Sequence, residues 1–374
     1  MNQQIKGLHK AITLDEISRV LNARLIGNGS LIIYSIAEPL DAASNHDLAL
    51  ALQPEFLALM EKSKSRVAVV TEGLEIPSGL LDAYLVVSRP RHALAILSQL
   101  FCRSPRLTRG IHPSAVVEPS ATIAASACVG ALSFIGVDVH IEDDVQIMPN
   151  VTVAAGSKVG AGSLLHSGVR IGEDTIIGER VIIHGNACIG ADGFSFATPE
   201  VGSVESAKTT KGVAATNKDI VRVHSLGTVV LEDEVEVGAC TTIDRATIGK
   251  TIVRRGTKID NLVMVAHNTD LGADCLIAGQ TGISGGCNIG DRVVMGGQVG
   301  IADHLNIGDD VVLAAATGVA RNVPEKSFMI DTPAVPYAEG ISRYKAIGRL
   351  KRLIKDVLGL RSRVSRLEKR LVNK

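Results

Sequence analysis

The residue of this chain best suited to move a proton is His267. It stands in the stretch Ile259-Asp-Asn-Leu-Val-Met-Val-Ala-His267-Asn268-Thr-Asp-Leu-Gly272, within a ladder of aliphatic residues that runs every six positions from Val253 through Ile259, Val265 and Leu271 to Val319. If three six-residue steps close one turn, as in hexapeptide β-helices, the residue one coil beyond His267 is Gly285. An imidazole, which gains and loses its proton near neutral pH, then sits beside a backbone N–H that no side chain obstructs. A proton acceptor next to a fixed donor is equipment for general-base chemistry with stabilisation of a nascent negative charge.

Holding that pair falls to the ladder, which is longer than the stretch around His267. Fourteen aliphatic residues spaced six apart run from Ile111 to Ile189, Leu231, Val237 and Ile243 resume the phase, and after a shift near Ile248 twelve more run from Val253 to Val319. These amount to nine to ten coils. Neither the helical period of 3.6 nor the strand period of 2 yields a strict six, so the spacing predicts a parallel β-helix over 106–323. Composition agrees: 46% hydrophobic residues, 3% aromatic, no Trp and 37 Gly suit a slender aliphatic core with tight corners. Glycines that follow the aliphatic residue, such as Gly160, Gly238 and Gly272, are expected to let the chain turn those corners. Residues 191–228 break the ladder with Ala-Asp-Gly-Phe-Ser-Phe and a polar run containing Lys208, Lys211 and Lys218, an inserted loop of the kind that carries function.

Residues 1–105 read as an α/β domain. Thr13 and Glu16 form a capping box ahead of Ile17, Val20 and Leu21; strands are expected at Leu31 to Ile36, Val67 to Thr71 and Ala83 to Ser88, and helices at Phe56 to Lys62 and Arg91 to Phe101. Residues 324–374 form a C-terminal helical extension. There Leu350, Leu353, Val357, Leu360, Val364, Leu367 and Leu371 alternate three and four apart as in a coiled-coil seam. From Arg343 to Lys374 twelve Lys or Arg face only Asp356 and Glu368, a net of +10 that suits an acidic partner or a membrane surface.

Net charge over the whole chain is zero, which argues against nucleic acid as the partner. No signal-peptide pattern and no apolar run of membrane-spanning length occur, so the cytoplasm is the expected compartment. Six scattered cysteines lack CxxC spacing and read as small buried apolar residues, with no metal site.

The order of segments resembles a known family. The α/β domain, Ile-His-Pro-Ser-Ala-Val opening the repeats, Gly190-Ala-Asp-Gly-Phe194, Gly-Ala-Cys-Thr-Thr-Ile-Asp-Arg245, Ile-Asp-Asn261, Val-Ala-His-Asn268 and the terminal helix are similar to the UDP-3-O-(3-hydroxyacyl)glucosamine N-acyltransferases of lipid A synthesis. The resemblance implies left-handed coils, a homotrimer, a UDP-sugar acceptor and an acyl donor carried on the phosphopantetheine arm of acyl carrier protein, with no further cofactor. It implies His267 as the base that deprotonates the 2-amino group, Gly285 as the oxyanion donor and His304 as a contact to the sugar nucleotide and acyl region. Asn268 is implied as a substrate contact and Asp260 as an orienting group. The family grips uracil with Phe-x-x-Asn-x-x-Tyr, and the matching positions here are Leu50, Gln53 and Phe56. Arg349, Lys351, Arg352 and Lys355 of the basic helix would dock the acidic carrier protein, with a peripheral contact to the inner membrane as a second use. Rival readings are a hexapeptide acyltransferase with another sugar or donor, a zinc carbonic anhydrase using three of His140, His166, His184, His267 and His304, and a non-catalytic scaffold.

Overall fold

A computed structural model describes residues 11–102, 107–331 and 334–372. The chain divides into two compact units, Met1–Arg106 and Leu107–Lys374. The first holds a five-stranded sheet in the order Arg24–Ile26, Ala83–Val87, Val67–Thr71, Asp47–Ala51, Ser35–Ala37, parallel apart from its Arg24–Ile26 edge. Helix α1 (Leu14–Leu21) starts at the capping box, where the Glu16 N–H donates to Thr13 Oγ1 at 3.2 Å and the Thr13 N–H donates to Glu16 Oε2 at 2.8 Å. Helix α2 (Pro54–Leu59) follows the strand Asp47–Ala51, and α3 (Pro90–Phe101) closes the unit. On one face of the sheet, α1 and α3 bury Leu14, Ile17 and Leu97 against Leu48, Val69 and Leu85; on the other, Leu57 packs with Ala49, Ala51 and Val70. The expected strand from Leu31 to Ile36 is two short ones, Ile32–Ile33 paired with Ile12–Thr13 and Ser35–Ala37 at the sheet edge.

The second unit is a stack of parallel two-residue strands wound into three faces of eleven, ten and nine strands. On the first face Ile259 pairs with Ile277, on the second Val265 with Ile283, and on the third Leu271 with Ile289, so each coil lies eighteen residues above the last. Ladder residues from Val129 onward point inward and are buried, and the core they form contains no aromatic ring. Stacked aliphatic residues fill a cross-section too narrow for rings. Among the cysteines only Cys128, Cys275 and Cys287 are buried, whereas Cys102 and Cys240 are exposed, so the reading of all six as core residues holds for half. Burial pushes the Cys275 thiol up to about 11.

Corners do not turn where the sequence suggested. Left-handed backbone falls mostly on non-glycine residues such as Asn150, Asn186, Asn268, Asp274 and His304, with φ between 55° and 62°. Asn and Asp tolerate that region because their short side chains bond locally. The glycine after the aliphatic residue answers to a close approach instead: a methyl on Gly272 would lie 2.2 Å from the carbonyl oxygen of Gly290 in the next coil.

Two irregularities interrupt the stack. Ile177 pairs with Leu231 across the inserted loop, which carries an antiparallel pair (Phe196–Ala197 with Val221–Arg222) and helix α4 (Ser203–Thr210). Leu231 then pairs with Val253, four residues further than the regular step, the extra length lying at 246–249. Past the last coil, α5 runs from Tyr337 to Val372 as one 36-residue helix, longer toward its start than the seam predicts. Among the described residues no helix is long and apolar enough to cross a membrane.

Candidate active site

His267 follows Met264–Val265 of the second face and precedes Asp270–Leu271 of the third, on the edge between them. The coil above meets it there. The Gly286 N–H donates to the His267 carbonyl at 3.0 Å, and a methyl on Gly285 would lie 2.9 Å from Cε1 and 3.0 Å from Nε2 of the imidazole. On the ring's other flank stands Gly193 of the insert, where a methyl would lie 2.8 Å from Cδ2. The Gly193 N–H donates to the buried Ser225 Oγ at 3.1 Å, which ties the start of the insert to its end. The half-buried ring is therefore clasped between two glycines, and any side chain at either would displace it.

Its tautomer is set from below. Asn268 Oδ1 lies 3.1 Å from His267 Nδ1, and the amide orientation is fixed because the Thr247 N–H donates to Oδ1 at 3.0 Å while Nδ2 donates to the Ile248 carbonyl at 2.9 Å. An oxygen accepts, so Nδ1 carries the hydrogen and Nε2 keeps its lone pair. The four extra residues at 246–249 thus explain the phase shift: they form the shelf that grips Asn268. The Gly285 N–H makes no hydrogen bond among the described residues, whereas the equivalent N–H groups of Ala273 and Gly279 are capped by Asp291 Oδ1 at 2.8 Å and Asp260 Oδ2 at 3.0 Å. A base nitrogen and an unsatisfied donor lie side by side. His304, two coils above Asn268, leans over Gly286, where a methyl would lie 2.4 Å from its Nδ1, and stays exposed at the same edge.

Asp260 is elsewhere. It lies on the edge between the first and second faces, capping the N–H groups of Asn261 at 2.7 Å and Gly279 at 3.0 Å, and borders a groove of about 750 Å³ with Asn261, Lys258, Glu236 and Leu276. Within one chain it does not orient His267. In the first unit Leu50 is partly buried against the α1 and α3 side of the sheet, while α2, which carries Phe56, starts after the exposed Gln53 and packs on the opposite side. The pair does not form two walls of one clamp. His166 and His184 stack at 4.9 Å and His184 Nε2 pairs with Glu236 at 2.9 Å; among the described residues no three His, Cys, Asp or Glu converge in a metal-binding group.

Sequence reasoning passed over Asp244 of the strand Thr242–Arg245. It is half-buried near His267 and Asp192, and its carboxyl is raised to about 6, first by burial and next by the Asp192 carboxylate, against the pull of His267. The only signal for it was the Thr-Thr-Ile-Asp-Arg motif, quoted above without a role for the aspartate.

A family model described as bacterial transferase hexapeptide (six repeats) matches residues 138–173. The UDP-3-O-acylglucosamine N-acyltransferase of Paracoccus denitrificans is 54% identical over 276 residues, 73% of this chain and 75% of that one. The protein of that name from Syntrophus aciditrophicus is 43% identical over 357 residues, 96% and 93% of the two chains. The one from Ruegeria pomeroyi is 49% identical over 357 residues, 95% of this chain and 98% of its own. Likeness of that degree over nearly the full length of both chains, on a hexapeptide β-helix with an imidazole clasped at one edge, makes this acyltransferase a member of the UDP-3-O-acylglucosamine N-acyltransferase family.

Proposed function

We propose that the chain transfers a 3-hydroxyacyl group from the thioester of acyl carrier protein to the 2-amino group of UDP-3-O-(3-hydroxyacyl)glucosamine, a step of lipid A synthesis in the cytoplasm. The observation that carries this reading is that, among the described residues, Nε2 of His267 is free beside the unpaired N–H of Gly285. As the neutral amine attacks the thioester carbon, Nε2 takes a proton from the nitrogen and the Gly285 N–H donates to the oxygen that becomes negative. Collapse restores the carbonyl, breaks the carbon–sulfur bond and releases the phosphopantetheine thiolate, which takes the proton back from the imidazolium. Asn268 keeps the base in the productive tautomer throughout. His304, exposed on the same edge, contacts the sugar nucleotide and acyl region.

The finer assembly belongs to the same reading: left-handed coils, three chains side by side, and Arg349, Lys351, Arg352 and Lys355 of α5 receiving the carrier protein. The first unit holds the nucleotide through Gln53 and Phe56, with Leu50 contributing packing beneath. The test is incubation of the full chain with 3-hydroxyacyl carrier protein and UDP-3-O-acylglucosamine, with the diacyl product detected by mass. His267→Ala should lower kcat about 10²- to 10⁴-fold. Retention of more than about a tenth of the wild-type rate would remove His267 as the base.

A further inference from the structure

One carboxylate beside the base has no part in the reaction set out above. The strand Thr242–Arg245 is twice the usual two-residue length, and a bulge sets Ala191 against Asp244 and Asp192 against Arg245. In the next coil Ile243 pairs with Val265, so Asp244 runs beside Ala266, the residue before His267. Three pieces of chain therefore converge at Asp244: its own strand, the corner that carries His267, and the start of the insert with Asp192 and Gly193.

Asp244 makes no side-chain hydrogen bond or ion pair among the described residues. The cations nearby are committed elsewhere. Arg222 pairs with Asp192 at 3.0 Å, and Arg245 donates to the carbonyls of Gly227 at 2.8 Å and Glu173 at 2.9 Å. The charged and titratable groups facing Asp244 are Asp192 from the insert, His267 from the corner and the Cys188 thiol from the strand below. A half-buried carboxylate without a partner costs stability. Its natural complement is a small cation or a multiple N–H donor brought by a ligand.

Building on the function proposed above, we propose that Asp244 is the docking group for the acceptor's 2-amino nitrogen, accepting a hydrogen bond from it and holding it against Nε2 of His267. The contact needs a donor at position 2 of the sugar, so an acceptor with no N–H or O–H there loses it. The nitrogen retains an N–H for Asp244 while it yields a proton to His267, so the contact persists through attack.

The experiment separates acceptor from donor. Asp244→Asn should raise KM for UDP-3-O-acylglucosamine at least tenfold while KM for the acyl carrier protein substrate stays within about twofold, and Asp244→Glu should recover part of the loss. Calorimetric titration of UDP-3-O-acylglucosamine into His267→Ala and into the His267→Ala, Asp244→Asn double variant reads docking without turnover. Affinity lost in the double variant supports the assignment; equal affinity overturns it. The 2-deoxy analogue of the acceptor, which has no donor there, should bind both alike, and a comparable loss for that analogue would also overturn it. Absence of turnover in the wild-type protein would refute the proposed reaction, while the titrations would still decide the role of Asp244.

Discussion

At the scale of single residues, the site depends as much on what is missing as on what is present. Gly193 and Gly285 leave a slot one imidazole wide, and Asn268 decides which nitrogen faces out of it. Gly285→Ala should therefore cut kcat by about 10²-fold or more, because the methyl pushes the ring away while the N–H can no longer be approached. Unchanged circular dichroism with that loss would place the defect in the site; near-normal turnover would mean that the oxyanion is held elsewhere. Sequence spacing alone located the pairing of His267 with Gly285, since it needed only the count of eighteen. It could not reveal Gly193, whose contact with the ring depends on how the insert folds back.

Asp244 offers a second test at this scale, through stability. Its carboxyl is raised to about 6 from an ordinary value near 3.8, so the folded state holds the proton more tightly than the unfolded chain does. The sign follows directly: the folded state is favoured most below the ordinary value, and that advantage is lost as pH rises to about 6, where the shielded carboxylate ionises. Asp244→Asn should consequently melt higher than wild type at pH 8, by of the order of 2 °C, with the gap closing toward pH 4. A variant that melts lower at pH 8 would mean that the carboxylate has a stabilising partner. A stabilising loss of charge beside the base is the expected signature of a residue kept for function.

At the scale of elements, the two breaks in the ladder matter more than its regularity. The regular coils follow from six-residue aliphatic spacing and could be placed from the sequence almost residue by residue. The shift near Ile248 was visible as a count that slipped, yet its purpose appears only where Thr247 and Ile248 close on the Asn268 amide. Asn268→Ala removes both that clamp and the acceptor for Nδ1, while Asn268→Asp keeps an acceptor for Nδ1 and for the Thr247 N–H and loses only the donation to Ile248. Activities should fall in the order wild type, Asp, Ala, with the Ala variant down about 10- to 100-fold. Equal activity of the Ala variant would show that the tautomer is selected by substrate instead. In the first unit the strand Asp47–Ala51 went unread: it has both faces covered, by Leu48 and Leu50 on one side and Ala49 and Ala51 on the other, so no polar side marks it as a strand. The same burial turns Leu50 toward α1 and α3, away from the face where α2 lies.

At the scale of the whole molecule, α5 carries two signals, an apolar seam and a basic face. Its apolar seam, Leu350, Leu353, Val357, Leu360, Val364 and Leu367, is more than half exposed along its whole length, which in a single chain leaves a long hydrophobic stripe in water. In heptad terms Leu350, Val357 and Val364 repeat every seven residues, as do Leu353 and Leu360, so the stripe suits coiled-coil packing against copies of itself in the proposed trimer. Counting from that seam, Lys351, Arg352 and Lys355 fall on the outward positions and only Arg349 flanks it. Clasping and docking can then use different faces of one helix. Among the described residues Arg352 has a single weak partner, Asp356 at 4.0 Å, with both side chains well exposed, so the basic face remains available to an acidic protein. Reversing Arg349, Lys351, Arg352 and Lys355 to glutamate should raise KM for the acyl carrier protein substrate roughly tenfold at low salt and flatten its salt dependence, because exposed charges steer over about 8 Å at physiological ionic strength. Sedimentation should be unaltered, whereas Leu353→Glu with Leu360→Glu should loosen the assembly instead. A reversed helix whose KM for the carrier protein matches wild type at low salt would confine α5 to fastening copies together, since a docking face of four cations cannot change sign without the acidic partner registering it.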